Sequence, residues 1–183
     1  MLALEIIGGI IILIILFVIV TYNNLVKYRL QADDAWSQID VQLKRRHDLI
    51  PNLVETVKGV MKFEKDTLTQ IVQARASAVN ASNIPDRIKA ENDLSSGMSR
   101  LMAVWENYPD LKSSKNAQQL QEELVSTENK IAYARGFYND IVANYNAQLQ
   151  QFPSNMVASN FHFQLKEFLK VPDQEKEAPE VKF

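Results

Sequence analysis

The sequence predicts an all-α protein, an N-terminal transmembrane helix that continues into a long antiparallel four-helix-type bundle. Three observations carry this expectation. Helix breakers are scarce, with five glycines and six prolines in 183 residues, so the breaks that do occur are meaningful. Apolar residues recur in steps of three and four over long stretches, and no segment of useful length alternates apolar with polar as a half-buried strand would. The stretch Leu2 to Val20 is apolar almost throughout. With 46% hydrophobic and 23% charged residues, the chain can build one modest domain with its own core. The organisation we expect is a transmembrane helix over residues 2–20, a helical bundle over 21–170 and an extended or disordered tail over 171–183.

The first element, LALEIIGGIIILIILFVIV, carries only Glu5 as a charge, and its length corresponds to roughly 28 Å of helix, close to the hydrocarbon thickness of a bilayer. A cleaved secretory signal is the competing reading. It is disfavoured because the span has no basic residue before it, an apolar core longer than usual and no small-x-small cleavage site before Thr21 and Tyr22. Glu5 lies close enough to one end to reach the interface, so we read it as a boundary residue. Lys27 and Arg29 flank the far side, and the positive-inside rule then places the soluble part in the cytoplasm.

Beyond the anchor, breaks are expected at NIPD (Asn83 to Asp86), NYPD (Asn107 to Asp110) and FPSN (Phe152 to Asn155), where proline and capping residues coincide. Helices should therefore cover about 22–82, 86–107, 113–150 and 155–170. Pro51 could start a new helix or kink a long one. Trp36, Ile39, Leu43, Ile50, Leu53, Val57, Val60, Leu68 and Ile71 keep their helical phase across it, which favours a single helix kinked near Pro51 over a tight turn. Leu94, Met98, Leu101 and Trp105, then Leu124, Ile131, Tyr138, Ile141 and Tyr145, form similar narrow stripes, and such stripes must cover one another. In the last helix Val157, Phe161, Leu165 and Phe168 share a face, suited to docking on the bundle or, less favoured, to lying on a membrane surface.

The densest polar group is Lys44, Arg45, Arg46, His47 and Asp48, followed by Pro51, Asn52 and Glu55. His47 and Asp48 invite a catalytic reading, but adjacent helical residues do not face each other, so the spacing fails for a histidine oriented by a carboxylate. We read Arg45, Arg46, His47, Asp48 and Glu55 as a structural or partner-binding surface. Any carbonyl freed by Pro51 would be satisfied there by a side chain or water. No catalytic residue is assigned. With His47 and His162 as the only histidines, no cysteine and no Glu-x-x-His pattern, we expect no metal and no cofactor. The absence of cysteine also excludes a disulfide framework. A net charge of −2 with 20 Lys and Arg offers no broad basic surface for nucleic acid.

Glu64, Arg75, Glu128 and Arg135 lie on or beside the apolar stripes, where unpaired burial would be costly, so we expect carboxylate–arginine pairing between helices. The terminal Val181-Lys182-Phe183 has the form that carboxylate-capturing peptide domains bind as an added strand. The alternative reading, which we favour, is a tail strapped back onto this bundle or a neighbouring copy.

The run WSQIDVQLKRRHDLIPNLVETVKG (Trp36 to Gly59), with YNNLV at Tyr22, ENYPDLK at Glu106, TENKIAYARGFYNDIV at Thr127 and FPSN at Phe152, resembles the LemA family of bacterial membrane-anchored helical proteins. The resemblance implies a membrane-anchored helical bundle in the bacterial plasma (inner) membrane, and names no activity. Two departures from the family's pattern are Val60-Met61, where an aromatic residue is usual, and His162, where glycine is frequent. The function we expect is a non-catalytic scaffold, bound to the lipid bilayer through residues 2–20, that forms a homo-oligomer and offers a surface to an unidentified protein partner. Two alternatives stand beside it: an adaptor recruiting a membrane-associated protease or envelope enzyme through its stalk or tail, and an enzyme with a cryptic site near His47.

Overall fold

Helix formation dominates the computed structural model, which describes residues 1–61 and 64–169 and has no strand among them. The helices are α1 (Leu2–Val57), α2 (Lys65–Asn80), α3 (Ile84–Trp105), α4 (Pro109–Ser113), α5 (Lys115–Gln150) and α6 (Ser154–Asn160). The described residues divide into two compact units, one of Met1–Gln38 with Ala134–Leu169 and the other containing Ile39–Tyr133. Each is described by itself below.

In the second unit, α1 runs on through Pro51, so a helix rather than a turn follows the unbroken apolar phase. The expected helix over 22–82 is nevertheless two helices, because α1 stops at Val57 and α2 starts at Lys65. The break falls at Lys58-Gly59, where glycine has the larger entropic cost in a helix. There the amides of Val60 and Met61 both turn back to the Val57 carbonyl, at 3.0 and 2.8 Å. Apolar phase did not reveal the break, since Met61 is buried under the turn and keeps the stripe continuous. The α2–α3 connection is capped as its sequence implies. The Asn83 side chain accepts from the Asp86 amide at 2.9 Å, and a proline occupies the first turn of α3. Pro109 likewise opens α4.

Contacts across the helices set their directions. Arg75 reaches His47, Arg100 reaches Gln70 and Ser95 reaches Glu128, so α1, α2, α3 and α5 alternate up and down. Ile50, Leu53, Val57, Ile71, Leu94, Leu101, Trp105 and Leu124 interdigitate in the core between them. Gly97 of α3 lets the α2 backbone approach, since a Cβ there would lie 3.0 Å from Ile71 Cγ1.

In the first unit, Leu25, Tyr145, Leu149, Val157 and Ala158 form the core, with Val18, Tyr28 and Phe163 half-buried against it. Trp36 meets Tyr138 edge-on at 5.6 Å. The helix expected over 155–170 is confined to Ser154–Asn160. His162 has φ 57, a left-handed conformation that ends the helix and in which glycine is at ease. Residues 163–169 then run without helix or strand. Of the four apolar residues assigned to a docking face, only Val157 is buried; Phe161, Leu165 and Phe168 are exposed. Phe163, Lys166 and Leu169 turn inward instead, one residue in every three.

Two asparagines of α5 hold this segment by its backbone. Asn146 Nδ2 donates to the Lys166 carbonyl at 2.8 Å and the Lys166 amide donates to Asn146 Oδ1 at 3.0 Å. Asn139 repeats the pattern on Leu169, at 2.9 and 2.8 Å. The spacing fits, because seven residues of α-helix rise about 10.5 Å and three residues of extended chain reach about 10 Å.

The stretch Leu2–Val20 contains the one described helical window long and apolar enough to cross a membrane, with none of it buried within the protein. The expected tail over 171–183, with Val181 and Phe183, lies outside the described residues.

Candidate functional site

The polar group expected as one surface is divided by the structure. Arg45, Asp48 and Glu55 are exposed, whereas Arg46 and His47 are buried. Arg46 is therefore not available to an outside partner. It sits in the series Leu43, Arg46, Ile50, Leu53 and Val57, at core spacing, so the helix turns it inward with its apolar neighbours.

Inside the second unit the Arg46 guanidinium acts as a hub. Nη1 donates to Ser95 Oγ and to Glu128 Oε1, each at 2.7 Å. Nη2 donates to the Glu91 carbonyl at 3.3 Å and pairs with the Glu91 carboxylate through Oε2. The planar fork of arginine suits this, since several acceptors can be met from one fixed geometry. Ser95 also donates to Glu128 Oε2 at 3.3 Å. Arg46 is 0% and Glu91 1% exposed, so each must have a counter-charge; unpaired burial of either would cost several kcal/mol.

His47 Nε2 stands 3.0 Å from Glu91 Oε1, within ion-pair reach though off the line of a hydrogen bond. Burial alone pushes the Glu91 carboxyl up, but contact with His47 and the charge of Arg46 outweigh it and hold the group below its ordinary value. The cluster is closed by Arg75, whose Nε donates to the His47 carbonyl at 2.7 Å. That carbonyl lies four residues before Pro51, which has no N–H to offer it, so α2 supplies the donor that α1 lacks.

The other residues expected on the stripes are placed separately. Glu128 pairs with Arg46 across helices, as a carboxylate–arginine pair. Glu64 immediately precedes α2 and hydrogen-bonds Tyr108, whose phenol is pushed up by desolvation and by the Glu64 charge. Arg135 lies on α5 in the first unit. On the outer face, Lys44 and Asp48 pair at 2.7 Å, and that hydrogen bond holds the Asp48 carboxyl below its ordinary range. Lys58 lies 3.8 Å from Glu55.

Sequence reading missed Glu91 and Ser95, although a signal existed. Glu91, Leu94, Met98, Leu101 and Trp105 step by three and four, which puts Glu91 on the core stripe of α3, and Glu128 sits likewise between Leu124 and Ile131. An arginine and two glutamates on three facing stripes imply one buried network. Among the described residues, no group of three acidic or imidazole side chains is placed to hold a metal ion. A polar groove of about 550 Å³ between α2 and α3 is lined by Gln70, Gln73, Asp93 and Arg100, and none of the Arg46 cluster opens into it. The chemistry of the cluster is thus mutual neutralisation among four helices.

Residues 35–183 match the model of the LemA family. The chain is 30% identical over 139 residues to Protein LemA of Metamycoplasma hominis, covering 74% of this chain and 63% of that protein. It is 24% identical over 175 residues to Magnetosome protein MamQ 2 of Paramagnetospirillum magneticum, covering 81% of this chain and 64% of that one. For Magnetosome protein MamQ of Magnetospirillum gryphiswaldense the identity is 24% over 173 residues, with 80% and 64% covered. The chain thus spans less than two thirds of the length of these relatives. On the family match over most of its length and the match to Protein LemA, this chain belongs to the LemA family.

Proposed function

We propose that the protein is a non-catalytic, single-pass scaffold of the bacterial plasma membrane, its soluble part cytoplasmic, that self-associates and presents its helical stalk to partner proteins. One observation supports the reading: the buried ionisable groups Arg46, His47 and Glu91 are spent on one another, while large apolar side chains stand outside. Val41 on α1 is 64% exposed, and Tyr133 and Phe137 on α5 are 78% and 42% exposed. Exposed apolar and aromatic side chains of this kind favour protein contacts. The apolar helix at Leu2–Val20, almost all of it exposed, supports anchoring.

Light scattering on the detergent-extracted full-length chain tests it. A defined mass several times that of one chain is expected, and a monomer would overturn self-association. The adaptor reading has its own support, because Arg45, Asp48, Asn52 and Glu55 form an exposed polar row at steps of three and four. Reversing Arg45, Asp48 and Glu55 together would strip co-purifying proteins without changing the oligomer's mass if the row is a docking face; unchanged co-purification would sink that role.

A further inference from the structure

We infer that the protein has a second membrane contact besides its anchor: the α5–α6 turn and the outer face of α6, with Phe152, Met156 and Phe161, sit in the acyl–headgroup boundary of the same bilayer. The inference rests on residues 2–20 spanning that bilayer and adds to them a surface that lies on it.

Position is the first argument. Val18, in the last turn of the apolar run, packs against the core formed by Leu25, Tyr145, Leu149, Val157 and Ala158, which ties α6 to the level at which α1 leaves the apolar stretch. The Tyr22 ring meets Phe161 with centroids 4.8 Å apart. Tyr22 is two positions beyond Val20, about 3 Å of helical rise, so Phe161 stands beside the end of the span.

Exposure is the second. Phe152 is 80%, Met156 65% and Phe161 46% exposed, while Val157 and Ala158 hold the other side of α6 against the first unit's core. An apolar group facing outward beside a span is in the place where aromatic and apolar side chains are at home in the interface.

Composition is the third, and it is independent of the coordinates. Residues 141–165 contain no Asp, Glu, Lys or Arg, in a chain where 23% of residues are charged. Ionised side chains are excluded from a lipid-facing surface by the cost of removing their hydration, whereas an ordinary solvent-exposed turn has no reason to avoid them. Lys27 and Arg29, exposed on α1 just beyond Tyr22, provide the cations that anionic headgroups attract.

The cysteine-free chain makes single-site labelling direct. Spin labels would be attached to Phe152→Cys and Met156→Cys in the full chain, reconstituted in phosphatidylcholine–phosphatidylglycerol vesicles. Leu13→Cys would serve as the reference within the span and Glu122→Cys as the aqueous one. Collision with oxygen, which partitions into lipid, is compared with collision with a water-soluble nickel chelate. Labels at 152 and 156 are expected to favour oxygen several-fold over the label at 122 and to resemble that at 13. If 13 favours oxygen while 152 and 156 favour nickel, the anchor stands and the second contact is wrong. Exclusion of both reagents at 152 and 156 would also overturn it, by showing a protein surface such as a second copy over the patch. An aqueous ratio at 13 would remove the anchor, and this inference with it.

Discussion

Arg46 decides most of what can be tested residue by residue. Replacing it with Met leaves Glu91 buried without its strongest counter-charge, and breaking such a pair is expected to cost about 3–5 kcal/mol in urea unfolding. Replacing Glu91 with Leu as well removes the stranded charge, so Arg46→Met with Glu91→Leu should recover much of the loss. Acid provides a separate check. Because the folded state holds the Glu91 carboxyl below its ordinary value of 4.5, its contribution is present above that value and is lost as pH falls through the lower folded one. The wild-type unfolding midpoint should thus fall more steeply than that of Glu91→Gln as pH is lowered through roughly 5 to 3, and parallel curves would contradict the assignment. The charge cluster was half legible in the sequence. The chemistry of its members was plain, but the run KRRHD reads as a solvated patch unless each residue is tested against the stripe of its own helix.

At the scale of the element, α1 depends on a neighbour to complete its own hydrogen bonding. Arg75→Ala would leave the His47 carbonyl without its donor, at about 1–3 kcal/mol. Pro51→Ala would restore an N–H within the helix. In that background the same Arg75 change should cost less, and a double-mutant cycle is expected to show coupling of about 1 kcal/mol; strict additivity would show that the carbonyl is satisfied in some other way. Helix identity was well readable, since periodicity and proline punctuation gave α3 and α5 within a few residues. The failures share a cause. A hairpin whose turn buries Met61 keeps the apolar phase intact, and a segment captured through its backbone amides leaves no helical or strand pattern in its side chains.

For the molecule as a whole, the apolar N-terminal helix was the most legible part, because so long an apolar run is visible without reference to the rest of the chain. The division into two units was not, since α1 and α5 each pass through both without a break in pattern. Within the span only Val18 joins a core, and it is half-buried. Deleting residues 2–20 is therefore expected to leave helical circular dichroism and a cooperative urea transition, with stability changed by no more than about 1 kcal/mol, while retention by vesicles becomes weak and reversible. The network around Arg46 has one more consequence. Its members come from α1, α2, α3 and α5, and a slip of one residue in any of these helices would rotate it by about 100° and carry its group away from the others. A slip of α1, α3 or α5 would strand an opposite charge in the interior, and a slip of α2 would leave the His47 carbonyl without its donor. The cluster therefore works as an error check on assembly: hydrophobic stripes tolerate several alignments, and the charges admit one.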